Sequence, residues 1–481
     1  MFLGLDYGTS EVKALLLDAH HRVLGSAGVP LSLSRPQPGW SEQRPDDWWA
    51  ATLAVCAELR AAHAHAWQQV QAIGLSGQMH GAVLLDAADH VLRPAILWND
   101  TRAEAECVAM MDELPALPML SGCLAMPGFT APKLRWLATH EPRTFERVAK
   151  VLLPKDFIRL RLTGEHVTDA SDASGTTWLD VARRDWSDEL LALTGLARTH
   201  MPRLVEGSQP GGTLLASTAT TLGLRAGIVV AGGAGDNAAS AIGMGIVRPG
   251  MGFLSLGTSG VIFVATDRYR PNPRSAVHAY CHALPGQWHQ MSVMLSAASC
   301  LRWARQLLGR GSDAEVEAMA APTTPAQRAA APLFLPYLGG ERTPHNSATL
   351  RASLHGLGHD TDAAAIAYAV MEGVAFGLAD GHAALQAAGT TVQRLSLVGG
   401  GARSALWAQM LADVLGVEIA THADSAAGGA LGAARLGWMA AGGNLPAVCT
   451  APVAQALCAP DAQAARLLAQ RLQRFRALSR T

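Results

Sequence analysis

Residues 5–12 read LDYGTSEV, and residues 254–261 read LSLGTSGV. Each is a short apolar run that meets a Gly-Thr-Ser turn and returns as a second apolar run, the pattern of a β-hairpin. The echo predicts two halves of one plan, each carrying the same hairpin. At 481 residues the chain is also longer than one hydrophobic core usually organises, so two domains of about 200–250 residues are expected. The turn residues of GIVRPGMG place their boundary near 245–250, giving an N-terminal domain over 1–245 and a C-terminal domain over 246–481.

The rest of the pattern is α/β. FLGLDYG, VKALLLDAHH and RVLGSAGVPLSL predict a three-stranded antiparallel meander, followed by an amphipathic helix near 46–67 and a strand over 70–75. Helices are predicted around 102–113 and 130–140, and strands over 228–231, 253–265 and 394–399. Three further helices are predicted over 361–388, 403–415 and 427–441, the last rich in Ala and Gly. Strands mixed with helices along the whole chain imply packed α/β layers.

The hairpins are candidate phosphate cradles, because a strand ending in a small-residue turn aims backbone N–H groups at one point. In the first, Gly8 lets the chain approach closely, Thr9 and Ser10 add hydroxyls, Lys13 can reach a phosphate oxygen, and Asp6 offers the hard oxygen that hydrated Mg²⁺ prefers. For one hairpin alone a plain β-turn is the simpler reading. The second, with Gly257 and Thr258, has Ser255 where the first has Asp6. Two cradles and one carboxylate suit a nucleoside triphosphate with one Mg²⁺. LVGGGARS, 397–404, lies between a strand and a helix; Gly400, Gly401 and Ser404 there are candidates for the adenosine end.

Asp236, in AGGAGDNAAS, follows a strand in a Gly-rich turn with Asn237 beside it. A carboxylate so placed can accept the proton of a hydroxyl that attacks phosphorus. It can equally cap the helix that follows, and both readings stand. Gln78, Met79 and His80 in SGQMHG form a polar turn with an apolar wall, suited to a sugar, with Trp98 of LWNDTR as a second wall. Asp100 and Arg102 in that stretch read best as an internal ion pair.

Charge and cysteine usage narrow the classes. Lys plus Arg is 38 against 39 for Asp plus Glu, so no basic field exists to hold a nucleic acid or an anionic membrane. Seven irregularly spaced Cys and Asp6 within the first apolar run predict a cytoplasmic protein with reduced thiols. Residues 227–247 are long enough to span a bilayer, but Asp236 at their centre would cost about 2.5–3.5 kcal/mol, and their glycines read as strand, turn and helix start. His278, Cys281 and His282 have no matching second pair, which argues against zinc. The apolar stripe of 365–381 reads as core packing.

On these motifs the chain resembles the FGGY carbohydrate kinases of the actin/hexokinase/Hsp70 fold class, over nearly its whole length. LDYGTSEVK, LSLGTSG and LVGGGARS match the two phosphate motifs and the adenosine motif, and GFTAPKLRWLATH, 128–140, fits the first family signature. ASLHGLGHDTDAAAIAYAVME, 352–372, fits the second, with Ala365 where a polar residue is usual. SGQMHG, RPAILWND, LLPKDF and FLPYLGGERTPH are similar to the xylulose-specific branch. The resemblance implies two actin-like (ribonuclease H-like) domains around a cleft, and ATP-dependent, Mg²⁺-dependent phosphorylation of D-xylulose. It implies Asp236 as general base, Met79 and His80 as sugar contacts, Asp6 as the Mg²⁺ anchor through water, and Gly257, Thr258, Gly400 and Gly401 around ATP. Glycerol is disfavoured because Met79–His80 replaces the Arg-Glu pair usual in glycerol kinases. Another FGGY substrate (ribulose, gluconate or a deoxyketose) and a non-catalytic actin-like ATP switch are the alternatives. The oligomeric state is left open, a homodimer included.

Overall fold

The computed structural model describes residues 1–423 and 428–479. The strand Phe2–Tyr7 is apolar at nearly every position because both of its faces are covered. It pairs antiparallel with Glu11–Leu17, which pairs with Val23–Pro30, forming the predicted meander. Its other edge pairs parallel with Ala72–Gly77, and Val229–Ala231 and Pro210–Thr213 follow outward.

The second sheet repeats this order. Met251–Leu256 pairs antiparallel with Gly260–Thr266, followed by Trp288–Met294 and the edge strand His278–Cys281. On its other side it pairs parallel with Arg394–Val398, followed by Glu418–Thr421. The two Gly-Thr-Ser hairpins therefore occupy equivalent central positions. Their tips differ by one residue: Tyr7 pairs with Val12, whereas Leu256 pairs with Gly260.

The helices lie close to their predicted spans, including Pro45–Ala62, Glu104–Glu113, Thr130–His140, Ala363–Ala387 and Ala405–Leu415. The Ala- and Gly-rich helix runs over Gly428–Ala440, and its predicted start at 427 lies outside the described residues. Residues 227–247 form the strand, turn and helix expected of them. Among the described residues, Ala363–Ala387 is the helix long and apolar enough to cross a membrane, and it is mostly buried among its neighbours. Gly373 lets it approach the carbonyl of Phe334.

One helix joins the halves in a way the linear order hides. Gly428–Ala440 follows the second sheet's strands in sequence but packs on the first sheet, against Phe2–Tyr7 and Ala72–Gly77, and beside the helix Asp236–Gly243. Its small residues set the distance: a Cβ on Gly432 would stand 1.7 Å from the carbonyl oxygen of Ala239, and one on Gly74 would stand 1.7 Å from that of Ala433. Backbone atoms cannot yield as a flexible side chain does. Gly432→Ala is therefore expected to destabilise the protein by about 1–3 kcal/mol through overpacking, read as a lowered midpoint in urea unfolding. An unchanged midpoint would mean that the two helices slide apart at no cost.

Candidate active site

Both key carboxylates are set by the same strand. Asp6 lies beside Ser76 in the parallel ladder, and Ala234–Gly235 pairs with Ser76–Gly77 on the opposite edge, so the chain leaves that pairing directly at Asp236. Ser76 donates a hydrogen bond of 2.7 Å to Asp6 Oδ1. Gly429 covers the other oxygen so closely that a Cβ there would stand 2.5 Å from Asp6 Oδ2. Burial raises the pKa of Asp6 above the ordinary carboxylate range, opposed by the Ser76 hydrogen bond and by Lys13, its antiparallel partner.

Asp236 opens the helix Asp236–Gly243, whose N-cap is Gly235. Its Oδ1 accepts from the backbone N–H (2.7 Å) and side-chain amide (2.9 Å) of Asn237. A helix cap would instead accept from residues two or three positions on. Among the described residues Asp236 Oδ2 has no hydrogen-bond partner, so one oxygen is held and the other is open. Burial first, and the charge of Asp6 second, push its pKa up to about 6, with the Asn237 hydrogen bonds acting against the shift. That value leaves it ionised at neutral pH and able to take a proton.

The turn that carries Met79 and His80 closes against Asp236. A Cβ on Gly235 would stand 2.8 Å from Met79 Cγ, so the thioether packs on the residue preceding the carboxylate. His80 adopts a left-handed backbone (φ 71°), and its carbonyl accepts from Thr130 and Lys133, both at 3.0 Å. Its ring stacks on Phe129 at 4.2 Å. Nδ1 lies 2.7 Å from the carbonyl of Gly175, which can only accept. Nδ1 therefore carries the proton and Nε2 presents a lone pair. Burial lowers the His80 pKa to about 3, so the ring stays neutral and Nε2 can accept a hydrogen bond.

Beneath the turn lies a buried ion cluster. Lys155 Nζ lies 2.7, 2.8 and 3.0 Å from Asp156, Asp169 and Asp172, and Arg159 pairs with Asp156. Burial and the charges of Asp156 and Asp169 raise the Asp172 pKa well above the usual range, opposed by Lys155. The cluster fixes the helix Ala170–Ser174, whose Ser171 accepts from the Gly235 amide, and Gly175, which orients His80, follows directly.

The hairpin tips supply open donors. The amide of Gly8 donates to Glu11 O and that of Gly257 to Ser259 O, while among the described residues the amides of Thr9, Ser10 and Thr258 donate to no protein acceptor. The carbonyls of Gly257 and Thr258 anchor the start of the helix Ala298–Leu307. Lys13 pairs with Glu11 at 2.9 Å near the first tip. Gly400 borders a cleft of about 720 Å³ lined by Arg403, Ala405, Ala408, His422 and Gln455, among others. A Cβ on Gly400 would meet no protein atom within 4 Å, whereas one on Gly401 would meet Leu256. Gly400→Val is therefore expected to leave the fold intact and to weaken ATP binding on the order of 10-fold, read by calorimetry, by filling the cleft alone. Unchanged ATP affinity in this variant would remove LVGGGARS from the nucleotide site.

Two predicted contacts are engaged elsewhere. Gln78 is buried: its Oε1 accepts from Thr9, and its amide donates to Gln43. It braces the first hairpin against the turn that carries Met79 and His80. Ser404 is buried as the N-cap of Ala405–Leu415, accepting from Trp407 N and donating to Glu317. Neither side chain is turned toward a ligand, because a buried polar group takes the nearest partner. Trp98 is exposed, with its indole N–H donating to Thr9 Oγ1 at 2.9 Å. Asp100 and Arg102 form the internal pair expected of them, doubly hydrogen-bonded at 2.9 and 2.7 Å. His278 packs edge-on to Phe129, Cys281 donates to Val181 O, and His282 packs edge-on to Phe263. Ser76, Phe129, Gly175 and Gly429 were missed by sequence reasoning. Only Ser76 and Phe129 lie within motifs already singled out, while Gly429 reaches Asp6 from the far end of the chain.

Known proteins resemble this chain over most of its length. The N-terminal domain model of the FGGY family of carbohydrate kinases matches residues 1–243, and the C-terminal domain model matches residues 252–441. The chain is 50% identical to the xylulose kinase of Escherichia coli (strain K12), over 92% of this chain and 90% of that protein. The crystal structure of a xylulose kinase from Brucella ovis superposes with a TM-score of 0.96 at 50% identity, covering 99% of this chain and 98% of that one. The Plasmodium falciparum glycerol kinase with ADP shares the fold, with a TM-score of 0.90 at 18% identity, covering 100% of this chain and 97% of that one. The fold is that of the actin-like sugar kinases, and the chain belongs to the FGGY family of carbohydrate kinases.

Proposed function

We propose that this carbohydrate kinase transfers the γ-phosphoryl group of ATP to the C5 hydroxyl of D-xylulose, giving ADP and D-xylulose 5-phosphate. The observation that carries the reading is Asp236, a carboxylate with one oxygen fixed by Asn237, the other open, and a pKa of about 6, set against the Met79–His80 turn. The likeness to xylulose kinases at 50% identity supports the choice of sugar.

In this reading the C5 hydroxyl lies between Asp236 and the phosphate cradles. Its oxygen attacks the γ-phosphorus as its proton passes to Asp236 Oδ2. The bond from phosphorus to the bridging oxygen breaks, and ADP leaves with that electron pair. His80 Nε2 accepts from a second hydroxyl, and Met79 forms the apolar wall. Gly8, Thr9, Ser10, Lys13, Gly257 and Thr258 surround the phosphates, and Gly400 and Gly401 border the adenosine. Asp6 fits a hydrated Mg²⁺, since Ser76 holds one oxygen and the other has no hydrogen-bond partner among the described residues. Such an ion supplies neutralisation of charge on the transferring group.

We place the domain boundary near 245–250 and the enzyme in the cytoplasm. A coupled assay of ADP release tests the substrate across D-xylulose, D-ribulose, gluconate and glycerol. D-Xylulose is expected to have the highest kcat/KM, and an equal or higher value for any other member overturns the assignment.

A further inference from the structure

The proposed substrate makes a chemical demand that Asp236 and His80 leave unmet. A 2-ketopentose closes to a hemiketal through its C5 hydroxyl, the group to be phosphorylated, so the enzyme must hold the open-chain ketone. A ketone oxygen can only accept hydrogen bonds. Asp236 and the free Nε2 of His80 are themselves acceptors.

Several donors around the turn are already engaged. The Asn237 amide donates to Asp236, the Trp98 indole to Thr9, the Gln78 amide to Gln43, and Lys133 to the carbonyls of His80 and Ile96. Arg342 differs. It comes from FLPYLGGERTPH, in the C-terminal half, and among the described residues its guanidinium makes no hydrogen bond and no ion pair. Its backbone is fixed on both sides. Glu341 Oε1 accepts from the amides of Leu295 and Arg342, both at 2.8 Å. The Thr343 amide donates to Val293 O, and Thr343 Oγ1 donates to Ala276 O, both at 3.0 Å.

This anchoring seats Arg342 beside the edge strand His278–Cys281, which meets the sugar turn through a run of rings. His80 stacks on Phe129 at 4.2 Å, Phe129 meets His278 at 5.9 Å, and His278 meets Tyr280 at 5.5 Å. The Arg342 charge disfavours protonation of His80 and His278 and favours ionisation of Tyr280, so it faces this run of rings. A half-buried guanidinium that makes no hydrogen bond or ion pair among the described residues, beside rings and the adjacent Glu341 carboxyl whose pKa burial pushes up to about 7, is costly unless a ligand supplies an acceptor.

We propose that Arg342 donates to the C2 carbonyl oxygen of the open-chain ketose, at the end of the sugar remote from Asp236, and selects ketoses over polyols. The inference rests on the function proposed above. A cation supplied by the C-terminal half to a sugar seated on the N-terminal half also links sugar binding to closure of the cleft.

The test uses the full-length enzyme and its Arg342→Gln and Arg342→Lys variants, with D-xylulose as substrate and xylitol, which has a hydroxyl in place of the carbonyl, as competitor. For Arg342→Gln, kcat/KM on D-xylulose is expected to fall about 10–100-fold, while the Ki of xylitol and the KM of ATP move less than about 3-fold, because only the carbonyl loses a charged donor. Arg342→Lys, which keeps a charged donor, is expected to recover part of the loss. A xylitol Ki that rises by the same factor overturns the carbonyl assignment, and so does a loss confined to ATP. An unaffected kcat/KM in both variants overturns it outright. A wild-type enzyme that ignores D-xylulose refutes the substrate reading, which the same plate of assays reveals separately.

Discussion

Asp236→Asn is expected to lower kcat by about 10²–10⁴-fold, the usual worth of a general base, while calorimetric affinities for sugar and for Mg²⁺·ATP stay near those of the wild type. The amide keeps the size of the carboxylate and can still accept from the Asn237 amides, but cannot take the substrate proton. The wild-type pH profile carries the matching signature. The base acts when ionised, and its pKa is raised to about 6, so kcat/KM should fall as pH drops through about 6 and plateau above it. Asp236→Asn should lack that limb. A variant within a few-fold of wild type would remove Asp236 from the proton transfer.

Asp6→Asn is expected to fail differently. An amide oxygen lacks the charge that draws Mg²⁺, and loss of a metal's outer partner commonly costs about 10–100-fold in metal affinity. The variant should need correspondingly more Mg²⁺ for half-maximal activity and regain activity as Mg²⁺ rises at saturating sugar and ATP. Asp236→Asn should gain nothing from added metal, because an ion does not supply a base. Rescue of Asp236→Asn rather than Asp6→Asn would exchange the two roles.

The contrast between these carboxylates is a tertiary effect. In the sequence, Asp236 reads equally as base and as helix cap, since both roles put an Asp before a helix. The structure separates them by which amides reach it: among the described residues Asn237 alone, with Gly235 in the cap position. The tautomer of His80 likewise depends on Gly175, far away in sequence, and its neutrality on burial that a turn motif cannot announce. Gln78 and Ser404 look like contact residues in their motifs and are engaged by Thr9, Gln43, Glu317 and Trp407 instead. A motif specifies residue types and leaves open which way each side chain turns.

The sequence by itself determined the architecture. Hydrophobic periodicity and turn glycines are local, so the meander, the two hairpins and the long helices were readable along the chain, and the echo at residues 5 and 254 disclosed two sheets of one order. Tertiary structure alone decided what surrounds each functional atom. Gly429 covers Asp6 from more than 400 positions away, because Gly428–Ala440 follows the second sheet's strands yet packs on the first. Arg342 is held near the strands of the second sheet because Thr343 is tied to Val293 and Ala276. Burial, proton affinity and the absence of a partner are sums over neighbours in space, and a linear pattern contains no term for them.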